Sequence, residues 1–260
     1  MTEQEFIKKL PTIDNYYVIF CDFTKMPYAE CDEETFDDKA FVFLKENMAK
    51  SFVEEYKEDN MILSVKTIPR SDILGFLTSL LVAGINMVSF RGNEQHDIQL
   101  ENIVKRQLKE DAPKPVENPS LQLSMIYFMQ AVRIAETEEE RMIARQFEEE
   151  MMVNIARGHF LVPSRELEDQ TDEEGNKKVA FLQVKNANGE VFIPLFTDVN
   201  EYFKFNAQDG TMKFLVLDFK RIYDTKIPEL GGFVINPGSV SVLLNRQHLD
   251  AIWQAFGDEI

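Results

Sequence analysis

Two stretches of this chain, residues 41–70 and 192–221, can be laid over each other without a gap. Phe41 then meets Phe192, Leu44 meets Leu195, Phe52 meets Phe203, Met61 meets Met212, Val65 meets Val216 and Arg70 meets Arg221. Similar residues keep the same register, among them Val42 with Ile193, Asn47 with Asp198 and Met48 with Val199. After a small deletion, Gly84-Ile85-Asn86 falls opposite Gly232-Phe233-Val234. A repeat longer than one secondary element implies a repeated supersecondary unit. The chain is therefore expected to fold as two related units rather than around one continuous core.

Local patterns fill in each unit. Residues 16–23, 40–44, 61–68 and 85–90 are short β-branched and aromatic runs and read as strands. Met48, Phe52 and Tyr56 recur at helical spacing over 47–57, and a second helix is expected over 72–82 with Ser71 as its cap. Residues 27–38 are acidic, contain Pro27, and read as an exposed loop. In the second half, strands are expected at 160–163, 179–184, 190–195, 214–219, 231–235 and 240–244. Turns are expected at 172–176, 186–189 and Asn236-Pro237-Gly238. Thr197-Asp198 should cap a helix reaching Lys204, and Asn245 one spanning 246–256. Strands alternating with helices imply parallel crossovers inside mixed sheets.

Between the halves, Pro113, Pro115 and Pro119 lie among charged residues, as domain linkers usually do. Asn118-Pro119 suits an N-cap followed by proline in the first helical turn. Apolar residues Leu121, Met125, Phe128 and Val132 then mark one helix, and Ile143, Phe147, Met151 and Ile155 another. Thr137 and Glu140 have capping-box spacing at the start of the second. The methionines here read as core filler at helical spacing. The expected fold class is α+β, with two tandem α/β units joined by a Pro-rich linker and a helical hairpin. The boundaries are 1–110 for the first domain, 111–119 for the linker, and 120–260 for the second domain with its hairpin.

Charge narrows the partners. The formal net charge is −17, from 28 basic and 45 acidic residues, with no basic run. Phosphate backbones and anionic bilayers are bound through clustered Lys and Arg, so neither nucleic acid nor membrane is an expected partner. The apolar stretch 73–87 is too short to span a bilayer, and the first residues lack the pattern of a signal peptide. Cys21 and Cys31 form no framework, which points to reduced thiols and a cytoplasmic location.

Known chemistries leave little trace. His96, His159 and His248 are far apart and fit no metal-ligand spacing. Gly238-Ser239 leads into a strand, which is the wrong context for a hydrolase nucleophile. No phosphate-binding glycine loop is present, and the carboxylates at 30–38, 136–150 and 166–174 keep no calcium-loop spacing. No catalytic residue, metal or cofactor is assigned. One constellation remains: Pro194, Phe196 and Thr197 at one strand end, and Asn236, Pro237 and Gly238 at another. Ligands of α/β sheets favour the carboxyl ends of strands, so these six residues form a candidate binding groove if the ends are adjacent. The competing reading is a turn whose Asn and Pro fix backbone geometry.

Three segments, Phe160-Leu161-Val162-Pro163, Val191 through Asp198 (Val-Phe-Ile-Pro-Leu-Phe-Thr-Asp), and Gly231 through Ser239 (Gly-Gly-Phe-Val-Ile-Asn-Pro-Gly-Ser), resemble the SseB family, named for enhanced serine sensitivity. The resemblance runs over about 121–252. The first half looks like a divergent copy: Phe43 stands where Pro194 does, and no Asn-Pro follows Gly84. The resemblance implies a bacterial cytosolic protein and transfers no catalytic residues. The expected function is a non-enzymatic regulatory or interaction module whose partner is another protein. The alternative is an enzyme or small-molecule binder, with its site near Phe196 and Asn236 or in the cleft between the halves.

Overall fold

The computed structural model describes residues 1–106, 114–171, 177–206, 213–225, 227 and 230–257. Residues 111–113 of the linker, the turn expected at 172–176, and Met212 lie outside them. Two compact units divide the chain. The first comprises Met1–Lys114 and Gln122–Glu148, the second Pro115–Leu121 and Glu149–Ile260.

The first unit opens with α1 (Glu3–Lys9), a helix not expected above although its capping box is legible as Thr2-x-x-Glu5. Strands β1 (Asn15–Cys21), β2 (Met26–Pro27), β3 (Ala29–Cys31) and β4 (Asp38–Phe43) follow. Next come α2 (Glu46–Glu55), β5 (Leu63–Pro69), α3 (Ile73–Val82), β6 (Met87–Arg91), β7 (Gln95–Gln99) and α4 (Leu100–Ile103). These seven strands make one mixed sheet. β5 runs antiparallel along the whole of β1, whose other side meets β4 at Tyr17↔Phe43 and Val18↔Val42 and β2 at Cys21↔Met26. β4 and β6 are parallel, and β6 and β7 antiparallel.

The acidic segment 27–38 is therefore not all loop. Tyr28 and Ala29 are buried and β3 pairs with β4, so only its middle turns through solvent. Short strands among acidic residues carry no periodic signal, which is why they were not expected. Ser71 does not cap α3. The cap position is Asp72, whose carboxylate instead accepts from the Ser71 hydroxyl (2.7 Å).

Phe52 anchors the core of this unit. Its ring lies 5.0 Å from Phe41, 5.4 Å from Phe43 and 4.8 Å from Tyr56. The face Met48–Phe52–Tyr56 thus packs on β4 as its spacing predicts. Burying one such aromatic ring stabilises a fold by about 2–3 kcal/mol.

The hairpin is α5 (Pro119–Ile134) and α6 (Glu138–Ala156). Thr137 and Glu140 form the expected capping box, with Glu140 N–H donating to Thr137 Oγ1 (3.2 Å) and Thr137 N–H to Glu140 Oε2 (2.9 Å). Within the first unit, Gln130 grips Ala29 by both backbone groups, and Tyr127 donates to Asp38 Oδ1 (2.6 Å). Met125 and Met151 are buried as core, whereas Met142 is exposed.

In the second unit, β8 (His159–Thr171), β9 (Lys177–Phe181) and β12 (Lys213–Asp218) form an antiparallel sheet in the order β12-β8-β9. The other sheet is β10-β11-β13-β14, from β10 (Val184–Lys185), β11 (Val191–Leu195), β13 (Leu230–Ile235) and β14 (Val242–Leu244). Helices α7 (Val199–Phe205), α8 (Phe219–Asp224) and α9 (Arg246–Phe256) complete it. A single antiparallel bridge, Leu161↔Phe196, joins the end of β11 to β8.

The two units share a plan. The order β5-β1-β4-β6-β7 of the first corresponds to β12-β8-β11-β13-β14 of the second, and every neighbour pair keeps its direction. Helices α2 and α7 follow equivalent strands. The gapless register holds through β5 and β12 and then fails. α8 begins directly at Phe219, whereas α3 waits until Ile73, so Arg70 sits in a turn and Arg221 in a helix. Gly84 precedes its strand while Gly232 lies inside β13, so Gly84-Ile85-Asn86 and Gly232-Phe233-Val234 are not structural equivalents.

Candidate functional site

β11 and β13 are parallel neighbours, paired from Phe192↔Gly232 to Leu195↔Ile235. Their carboxyl ends therefore lie side by side, and Pro194, Phe196, Thr197, Asn236, Pro237 and Gly238 are brought together. Four of the six are buried, and Pro237 and Gly238 are half-buried. Phe196 and Thr197 are fully buried, and Asn236 is 1% exposed. The Phe196 ring meets Tyr202 edge-on at 5.4 Å. Gly238 packs against the backbone of α7, where an added Cβ would come within 3.0 Å of the Phe205 nitrogen.

Polar groups at this junction bond to one another. Thr197 N–H donates to Asn236 Oδ1 (3.0 Å), and Asn236 Nδ2 donates to Thr197 Oγ1 (2.9 Å). Thr197 Oγ1 donates in turn to Asp198 Oδ2 (3.1 Å). Asp198 caps α7, its Oδ1 accepting from the amides of Asn200 (2.7 Å) and Glu201 (3.2 Å). Glu201, 1% exposed, accepts from the Ser239 hydroxyl and pairs with Lys204. Burial, and then the neighbouring Glu201 carboxylate, push the Asp198 carboxyl above its usual range. Asn236 adopts a left-handed conformation (φ 48°), which Asn tolerates better than most side chains. Thr197, Asp198 and Asn236 thus form a buried hydrogen-bonded lock at these strand ends. A cavity of about 360 Å³ lies at the other end of β13, beside Gly231, Gly232, Arg246 and Leu249.

Asn118 extends the lock. It does not cap α5. Its side chain donates to the carbonyls of His159 (2.7 Å) and Thr197 (2.8 Å) and accepts from His159 N–H (3.1 Å). The sequence signal Asn-Pro was right about the helix start and silent about this tie between β8 and β11.

The other candidates stay apart. His96 is on β7, stacked on Phe6 at 4.3 Å, His159 opens β8, and His248 completes a capping box with Asn245 on α9. Among the described residues, no group of three His, Cys, Asp or Glu side chains is placed to hold a metal ion. Cys21 is buried and Cys31 exposed, and neither is in a disulfide. Partial burial, then the carboxylates of Asp38 and Asp32, raise the Cys31 thiol, which disfavours its nucleophilic form. No described helix is long and apolar enough to cross a membrane.

The sheet edges separate one element from the rest. β7 is polar apart from the buried Ile98, β14 has three residues and β10 two. β5 carries Lys66 and Pro69. All of these are familiar ways of blunting an edge. β12 reads Lys213-Phe214-Leu215-Val216-Leu217-Asp218, with four consecutive apolar residues and no proline. It pairs only with β8 among the described residues, and Leu215 and Val216 are 38% and 42% exposed. Sequence reasoning identified this strand but had no means of telling that it is an edge.

Comparison with known proteins adds a family. Residues 137–251 match the model of the SseB protein N-terminal domain. Two solved structures align over most of the chain: Tic22 of Anabaena, a protein of protein transport, and Tic22 from Plasmodium falciparum. The first is 14% identical and the alignment covers 90% of this chain and 92% of that one, with a TM-score of 0.23. The second is 13% identical over 97% and 98%, also with a TM-score of 0.23. No curated protein matches. The matched segment begins at the capping box of α6 and ends within α9, and it contains β8, β11, α7, β13 and the whole Thr197–Asn236 lock. The similarity to the SseB protein N-terminal domain thus covers residues 137–251, less than half of the chain.

Proposed function

We propose that this protein is a non-enzymatic binding module that takes an extended segment of a partner protein as an added strand on β12. The supporting observation is the chemistry of that edge. An unpaired strand offers a row of backbone donors and acceptors, and the apolar run 214–217 offers side-chain contacts on both faces. The topologically equivalent β5 is blunted by Lys66 and Pro69, so the open edge belongs to one unit and not to the shared plan. We read the two units as copies of one module, in which the second has kept or gained the binding edge. The burial of Thr197 and Asn236 supports assigning the lock to structure rather than to catalysis. Free thiols at Cys21 and Cys31 support a reducing, cytoplasmic setting.

The test is a double substitution, Leu215→Lys with Val216→Lys, which gives β12 the protection that β5 has. The tagged protein retains a stoichiometric partner from its own lysate under this reading. The variant, folded by circular dichroism, should lose that partner by at least about tenfold, the effect of roughly 1.4 kcal/mol. A partner retained equally by both proteins would rule the edge out.

A further inference from the structure

The turn between β3 and β4 has a counterpart in the second unit, the turn between β10 and β11. Both hairpins lead into the equivalent central strand, and both use the same local device. In the second, Asn186 Oδ1 accepts from the amides of Asn188 (3.0 Å) and Glu190 (3.0 Å), and Gly189 supplies the left-handed residue with φ 83°. In the first, Asp32 Oδ1 accepts from the amides of Glu34 (3.0 Å) and Thr35 (2.8 Å). Phe36 N–H donates to Asp32 O (2.8 Å) and Asp32 N–H to Asp37 O (2.8 Å). Here the left-handed residue is Phe36, with φ 57°. Glycine adopts that conformation without steric cost, and a bulky side chain does so only against its own Cβ.

Nothing in the fold repays Phe36. It is 77% exposed, the largest exposure of any large apolar residue among those described. The other non-glycine residues with positive φ are Lys25, Asn60, Asn236 and Ser241, none of them aromatic. The tip that carries it is held firmly, since Asp32 is also paired with Lys39, whose ammonium reaches Asp97 (3.4 Å). Glu33 and Glu34 are exposed on the same turn, and Asp37 and Asp38 flank it.

We infer that Phe36 is a docking knob for a second protein, one whose surface offers an apolar pocket rimmed by Lys and Arg. A rigid aromatic on a pre-ordered tip loses little conformational freedom on binding, which is the usual character of an interface anchor. The surrounding carboxylates select a basic rim and steer the encounter, and they repel an anionic bilayer. This inference is independent of the β12 edge, which belongs to the other unit.

The test uses Phe36→Asn in the whole protein, because Asn tolerates the left-handed conformation. Random peptides displayed on phage are selected on the wild-type protein, with the variant as counter-selection. Selected binders should carry Lys or Arg around an apolar centre, weaken with salt, and lose roughly 30-fold or more in affinity on the variant. The variant should melt at the wild-type temperature or about 2–4 °C above it. The β12 double variant should bind the same peptides unchanged. A lower melting temperature would make the ring structural and overturn the inference. So would a selection that yields no Phe36-dependent binder, or Phe36-dependent adsorption to vesicles of anionic phospholipid.

Discussion

Asp198 meets two demands that pull against each other. As the N-cap of α7 it must accept two backbone amides, which favours the carboxylate. As a buried group beside Glu201 it is pushed towards the neutral acid, and this second effect dominates, so its proton is held more tightly in the fold than in the open chain. A raised folded value contributes stability that is fully present below about pH 4, the unfolded value, and is lost as pH climbs through the folded one. Asp198→Asn keeps an acceptor for the cap and removes the titration. The stability of the variant relative to wild type should therefore rise between pH 4 and pH 7 in urea unfolding. A difference that stays flat over that range would show that the carboxylate is not strained by its surroundings. At this scale the sequence was informative about caps, since Asp198, Asn245 and Thr137 all occupy the cap positions read from it. It placed Asn118 at a helix start and Asn236 at a turn but was silent about the bonds their side chains make across the fold, which leave no local pattern.

Among the elements, β13 is the most constrained. Its register against β11 shifts between Val191 and Phe192, with Leu230 and Gly232 as their partners, so Gly231 is the extra residue of a bulge. Gly232 has φ 136°, and a Cβ there would lie 2.2 Å from the Leu244 carbonyl oxygen. Gly232→Ala should cost about 3 kcal/mol or more, read as a fall in the urea midpoint with an unchanged slope. A loss under about 1 kcal/mol would mean that β14 moves aside freely. Strands with an apolar run, such as β1, β4 and β12, were legible from the sequence, and β3 and β7 were not. Residues 29–31 are Ala-Glu-Cys and 95–99 are Gln-His-Asp-Ile-Gln, stretches whose strand state comes from the neighbour they pair with. Helices were legible by face, but a face does not name its neighbour. The hairpin read as part of the second half contributes Gln122–Glu148 to the first compact unit.

Across the whole molecule, the repeated sequence register foreshadows a repeated strand order, and the agreement is closest over β4, α2 and β5, where the alignment had no gap. The net charge of −17 acts at this scale too. Like charges spread over a folded chain oppose its compactness, and salt screens them. Raising ionic strength from 0.01 M to 0.15 M shortens the screening length from about 30 Å to about 8 Å. The melting temperature should rise over that interval by about 2–4 °C, the equivalent of about 1 kcal/mol. A fall instead would assign net stabilisation to surface ion pairs such as Lys50–Glu46 and Arg246–Asp250.

The Leu161↔Phe196 bridge has a mechanical consequence. In the first unit the corresponding strands share two ladder positions inside one continuous sheet, whereas here, among the described residues, they share one bridge, Leu161 N–H to Phe196 O (2.9 Å) and Phe196 N–H to Leu161 O (3.0 Å), beside the Asn118 tie. Drawn apart across that line, the second unit would tear like paper at a perforation, its resistance set by the packed rings of Phe196, Tyr202, Phe205 and Phe214 far more than by its backbone stitching.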